Sequence, residues 1–197
     1  MKKIYGVFVS SKKHGVGKDT FATLLAEYLR EKNISYDIVS LATPVLTAYM
    51  NLYDEARFDF YKIHPEKRDK LLQFSSAVKK LDSEVFIRKS CHAIDRYIDL
   101  SETYKHVVII PDSRYMFEAI YLRHNSKIND FISANIYQDF NINEEYKDRE
   151  SQYEPIGEER FLAYTQGQWR NIRNSGTMGE LRSQVRTFCK ITGIVDE

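Results

Sequence analysis

The sequence predicts an α/β fold: a doubly wound parallel sheet of about five strands, with flanking helices and a small lid. Three observations predict it. Short apolar runs, which read as buried strands, alternate with segments whose apolar residues recur at helical spacing. The first strand, helix and second strand close within about forty residues, the span of a βαβ unit, which forces parallel pairing. The turn between that strand and helix, Ser10–Thr20, carries glycines and then Lys18.

The elements follow in order. Ile4–Ser10 is apolar almost throughout, as a strand buried on both faces must be. Thr20–Glu31 is its crossover helix, ended by Lys32-Asn33, and Tyr36–Leu41 is the second strand. Ala42-Thr43-Pro44 breaks the chain before a helix over Val45–Tyr53, and Asp54–His64 is aromatic with weak periodicity. Pro65 suits a helix start. Glu66–Leu81 then repeats Leu71, Leu72, Phe74, Ala77, Val78 and Leu81, and Ser83–Leu100 is a second amphipathic helix. Residues 42–104 thus form a helical segment between strands two and three. His106–Pro111 is the third strand, Phe117–His124 a helix, and Phe131–Tyr137 the fourth strand. Residues 138–157 are too charged for a core and read as a lid or loop. Glu158–Tyr164 is a short helix and Trp169–Asn174 a fifth, edge strand. Thr177 would cap the last helix, Met178–Ile191.

With 197 residues, the chain suits one domain, 1–197, carrying an inserted segment. Lys plus Arg number 29 against 28 for Asp plus Glu, so no strong field recruits nucleic acid or a membrane surface. Cys91 and Cys189 fit no metal spacing and suit a reduced, cytoplasmic setting, the host's if the source is viral. Lys2-Lys3 and the apolar run after them are too short for a signal peptide, and no run approaches a membrane span. A homodimer is left open by the sequence.

The turn after the first strand has the layout of a phosphate-binding loop: strand, glycine loop, lysine, hydroxyl, helix. Gly15, Val16 and Gly17 would let backbone N–H groups face a phosphate, because glycine brings no Cβ into the approach. The first turn of the helix adds unpaired N–H donors and a partial positive charge. Lys18 would reach the β- and γ-phosphates of ATP, with Lys13 a further cation inside the loop. Thr20, or Asp19 through a water, would help hold Mg²⁺. Lys12 stands where the usual pattern has its first glycine, and Asp19 moves the hydroxyl one place later.

Asp112 lies at the carboxyl end of the third strand, the edge where ligands gather in a parallel sheet. A carboxylate there would orient Mg²⁺ or its waters; the alternative is a helix cap. Arg114, two residues on, would clamp a phosphate through its two-pronged guanidinium. Arg68 begins a helix in the inserted segment and would meet an acceptor phosphate. Arg149, in the polar stretch, would close over the transferring group.

Four segments carry a resemblance. Ser11–Thr20, with Gly17-Lys18-Asp19-Thr20, resembles the loop of bacteriophage-type deoxynucleoside monophosphate kinases, and more distantly that of animal phosphomevalonate kinases. Arg68–Gln73, followed by Asp82 and Phe86, resembles that family's arginine–leucine–glutamine helix. Ile109–Ala119 resembles its Asp-x-Arg strand end and acidic helix start, and Ile172–Leu181 its closing Asn-x-Gly-Thr turn. The resemblance spans most of the chain. It implies a P-loop NTPase fold of the nucleoside monophosphate kinase type, with 42–104 as the acceptor-binding segment and 138–157 as the lid. It further implies ATP and Mg²⁺, small nucleotide substrates, Gln73 beside Arg68 and Arg114 at the acceptor, and Asn174 at the adenine. The expected reaction is ATP + dNMP → ADP + dNDP. The alternatives are a kinase of another small phosphorylated metabolite, such as a phosphomevalonate-like one, or a catalytically idle nucleotide-binding protein. A nucleic-acid-directed enzyme is disfavoured by the even charge.

Overall fold

The structure is a computed structural model that describes residues 2–11, 15–53, 65–138 and 155–196. Its strands are β1 (Lys3–Ser10), β2 (Ser35–Ile38), β3 (Lys105–Ile110), β4 (Asp130–Tyr137) and β5 (Gln168–Arg173). The helices are α1 (Lys18–Glu31), α2 (Thr43–Tyr53), α3 (Pro65–Leu81), α4 (Val85–Leu100), α5 (Met116–Asn125), α6 (Glu158–Thr165) and α7 (Met178–Ile191). All pairings within the sheet are parallel, in the order β2-β3-β1-β4-β5. β1 is therefore central, and β5 sits at the edge expected for it.

Each face of the sheet is covered. On one side α1 and α7 pack over Tyr5, Val7 and Val9, with Phe21 and Phe188 meeting edge to face at 5.5 Å. On the other, α4, α5 and α6 pack over Ile4, Phe8 and Phe131 through Ile94, Leu122 and Phe161. Alternate residues of β1 thus enter two different cores, which is why its sequence is an apolar run rather than an alternation. Gly167 is required where the chain enters β5: a Cβ there would lie 2.1 Å from the backbone oxygen of Phe131. At α7, Thr177 accepts from the Glu180 N–H and Glu180 accepts from the Thr177 N–H, a reciprocal cap at the residue the sequence indicates.

The second strand is shorter than the expected Tyr36–Leu41. Val39 still donates to Ile109 at 2.9 Å, but the N–H groups of Leu41 and Ala42 turn to the Asp112 carboxylate instead of a strand. The expected lid stretch lies mostly outside the described residues. Its end is seen where Pro155 bridges Tyr115 and the Ile156 N–H donates to the Arg114 carbonyl at 2.8 Å.

At the amino edge of the sheet, His106 is fully buried. Its Nδ1 meets Ser35 Oγ at 2.8 Å, and Asp37 Oδ2 lies 3.3 Å from Nε2. Burial, aided by the Lys2 ammonium, pushes the imidazole down to about 4, although the Asp37 carboxylate pulls the other way. An unfolded chain titrates this group at 6.5, so protonation favours unfolding, and the stability that neutral His106 supplies falls as pH drops from 6.5 towards 4. Asp37, itself raised by burial, has the opposite sign. The difference between the wild-type protein and His106→Asn therefore isolates the imidazole. In urea unfolding, the advantage of the wild type should shrink by about 2 kcal/mol between pH 7 and pH 4.5. An unchanged difference would mean that Asp37 compensates the buried charge.

Candidate active site

The loop after β1 is held from below and from the far side of the sheet. Val16 is buried in the core beneath α1. Gly17, the residue before the helix, has φ +90°, a left-handed conformation that glycine adopts without Cβ strain. Its carbonyl accepts from Phe21 N–H at 2.9 Å, which starts the helix. Asn174, just past β5, donates from its amide to the Val16 carbonyl at 2.8 Å and through its backbone N–H to the Tyr137 carbonyl at 2.7 Å. It packs so close that a Cβ on Gly17 would stand 2.3 Å from its Nδ2. Asn174 thus braces the loop backbone, a place the turn-and-helix resemblance alone does not specify.

Lys18 reaches back across the loop, donating from Nζ to Ser11 Oγ at 2.8 Å. Burial, with the neighbouring Arg114 guanidinium, holds its ammonium below the usual lysine range, while Asp19 and Asp112 pull it upward. Arg114 and Asp112, from the end of β3, thus come near enough to the lysine that follows β1 to act on its charge. They do so because β1 and β3 are paired neighbours in register, Phe8 opposite Ile110. Asp19 is exposed on the first turn of α1, and Thr20, half-buried, points its hydroxyl towards Gly17.

Asp112 also serves the neighbouring loop. It accepts from Ser40 Oγ at 2.6 Å and from the N–H groups of Leu41 and Ala42 at 2.9 and 3.0 Å. It therefore fixes the turn from β2 into α2, rather than capping the helix that follows β3. Arg114 is exposed on the same strand end. Gln73 sits on an exposed face of α3, and among the described residues no hydrogen bond joins it to Lys18, Asp112 or Arg114. Arg68 lies in the first turn of α3, but its side chain is outside the described residues, as are Lys13 and Arg149 altogether.

Sequence reasoning assigned no role to three residues that shape the site. Ser40 and Ser11 gave no local signal, because their partners lie across the fold. Glu118 did give one: an acid at the third position of a helix is the half of a capping box that accepts from the N-cap N–H, here that of Tyr115. Among the described residues, no group of three His, Cys, Asp or Glu side chains gathers as a metal cluster. The Thr20 hydroxyl and the carboxylates of Asp19 and Asp112 are hard oxygen donors, the class that suits Mg²⁺ held by one or two protein oxygens and by waters.

No protein-family model matches the chain, and no curated protein matches it. Among solved structures, a mutant of the Mycobacterium tuberculosis APS kinase CysC superposes with a TM-score of 0.50 at 14% identity, covering 95% of this chain and 97% of that one. That likeness, with the all-parallel five-stranded sheet, shows the α/β P-loop fold. Among the described residues, no helix is long and apolar enough to cross a membrane.

The brace on Gly17 can be measured. Gly15 has φ +72° with nothing near a built Cβ, so Gly15→Ala should cost only backbone strain, about 1 kcal/mol. Gly17→Ala should cost about 1 kcal/mol more, because Asn174 must also abandon Val16. In an Asn174→Ala background that extra cost should vanish in denaturant unfolding. Equal costs for the two glycines would show that Asn174 does not constrain the loop.

Proposed function

We propose that this protein is an ATP-dependent phosphotransferase of the nucleoside monophosphate kinase type, with a deoxynucleoside monophosphate as acceptor. The observation that carries the reading is the convergence of Lys18, Arg114 and Asp112 beside a glycine loop at the carboxyl edge of β1 and β3. The APS kinase likeness supports a kinase of this fold without fixing the acceptor. The resemblance of the Ser11–Thr20, Asp112–Arg114 and Asn174–Thr177 segments favours a nucleotide.

The backbone N–H groups of Gly15–Thr20 would cradle the β- and γ-phosphates, with the N-terminus of α1 adding its dipole. Lys18 would hold the migrating phosphoryl group, where negative charge is greatest. Arg114, with Arg68 and Gln73 from α3, would align the acceptor phosphate. One acceptor oxygen then forms a bond to the γ-phosphorus as the bridging bond to the β-phosphate breaks, and ADP leaves with that electron pair. Thr20, Asp19 and Asp112 would hold Mg²⁺, directly or through water, and the ion would supply charge neutralisation for the phosphates. Asp112 is already tied to Ser40, Leu41 and Ala42, so a water-mediated role suits it best. Arg149 and Lys13 would add cations as the site closes, and exclusion of water there would favour transfer over hydrolysis.

The deciding experiment supplies the purified protein with ATP and Mg²⁺ and a panel of acceptors: the dNMPs, APS and phosphomevalonate. A dNMP should stimulate ADP formation well above the rate without acceptor. Turnover with phosphomevalonate or APS alone would reassign the acceptor. ATP binding without stimulation by any of them would favour an idle nucleotide-binding protein. Lys18→Ala should lower kcat about 10²–10⁴-fold while the far-UV circular dichroism stays unchanged; near-normal activity would refute its role.

A further inference from the structure

The segment that carries Arg114 is gripped by an acid behind it. Glu118, on the first turn of α5, turns its Oε2 back along the chain. That one oxygen accepts from the Arg114 N–H at 2.8 Å, from the Tyr115 N–H at 3.0 Å and, at 3.5 Å, from Ser113 Oγ. The Arg114 carbonyl is held from the other side by Ile156 N–H at 2.8 Å, and Tyr115 bridges Pro155. Both peptide groups flanking the Arg114 side chain are therefore fixed, and the guanidinium leaves a backbone that cannot swing. Ser113, Tyr115 and Met116 are buried around it, so the grip sits on a packed base.

We infer that Glu118 is a positioning residue, which holds the backbone at Arg114 so that its guanidinium meets the acceptor phosphate beside Lys18. This rests on the proposed phosphotransferase reading. The charge placement supports it. Arg114 already bears on the Lys18 ammonium, so two positive groups lie near one another, with Asp19 and Asp112 offsetting part of the repulsion. Such an arrangement is unfavourable in itself and needs a scaffold to maintain it. A phosphate between them would relieve the repulsion. Glu118 also faces Asp112 from the end of β3 and Lys79 from α3. Burial, reinforced by Asp112, pushes its carboxyl up to about 7, while the two backbone N–H groups and Lys79 act to keep it ionised. The ionised form accepts more strongly, so the grip on Arg114 tightens as pH rises through neutrality.

The test uses the full chain and three forms: wild type, Glu118→Gln and Glu118→Ala. Glutamine keeps an accepting oxygen but neither the charge nor the titration. The acceptor KM should rise several-fold in Glu118→Gln and more in Glu118→Ala, while the KM for ATP stays within about twofold. In the wild type the acceptor KM should also rise as pH falls below about 7, and Glu118→Gln should be flat over that limb. A parallel calorimetric arm, with the loop saturated by ADP, measures binding of each dNMP and of inorganic phosphate. Weaker binding in the variants supports the inference even when the wild type turns over no acceptor, an outcome that would instead count against the kinase reading. Unchanged acceptor KM and phosphate binding in both variants would overturn the positioning role. So would an equal loss for ATP and acceptor together with a lowered Tm, which would make Glu118 merely structural.

Discussion

The whole site depends on one constraint: β1 occupies the middle of the sheet and is paired in parallel on both sides. Its register with β3 places Phe8 opposite Ile110, and its register with β4 places Ser10 opposite Asn135. A loop leaving such a strand has no free edge to drift towards. It is flanked by the end of β3, which brings Asp112 and Arg114, and by the turn after β5, which brings Asn174. Parallel pairing also aligns all the carboxyl ends on one side, so loops from distant parts of the chain must meet there.

Loops that meet in this way must satisfy their own backbone polar groups, and here side chains from neighbouring loops do it. Asp112 takes two N–H groups of the turn into α2, the Asn174 amide donates to a carbonyl of the glycine loop, and Glu118 takes two N–H groups around Arg114. Each contact satisfies a peptide group that no strand or helix could pair, and each fixes a neighbour of a candidate binding residue. The same bonds that keep the fold's upper rim from fraying hold its cations and carboxylates in place before a substrate arrives. Under the proposed phosphotransferase reading such preorganisation would count, because positioning and charge stabilisation are nearly the whole of catalysis there.

The two ends of the sheet divide their work. At the amino edge, His106 is buried beside Ser35 and Asp37, and its burial ties the stability of the fold to pH. At the carboxyl edge the charged groups remain partly exposed, where a ligand can reach them. Cys91 and Cys189 are buried in opposite cores as free thiols whose burial raises them to about 11 and 12, so they act as small apolar side chains.

Sequence by itself determined the layering of the molecule. Apolar runs marked β1 and β3, helical spacing marked α1, α4 and α7, and Thr177 marked the start of the last helix to the residue. These are local signals: periodicity, a cap and a glycine loop are properties of adjacent residues. The sequence also placed Lys18, Asp112 and Arg114 at strand ends, where a parallel sheet collects them. Tertiary structure decided what those residues touch. That Asp112 ends β2 early, that Asn174 presses on Gly17 and that Lys18 leans on Ser11 depend on pairings between segments up to 158 residues apart, as Asn174 and Val16 are. No local pattern encodes such a distance. It is set when the two cores close on β1 and the strand ends are brought together.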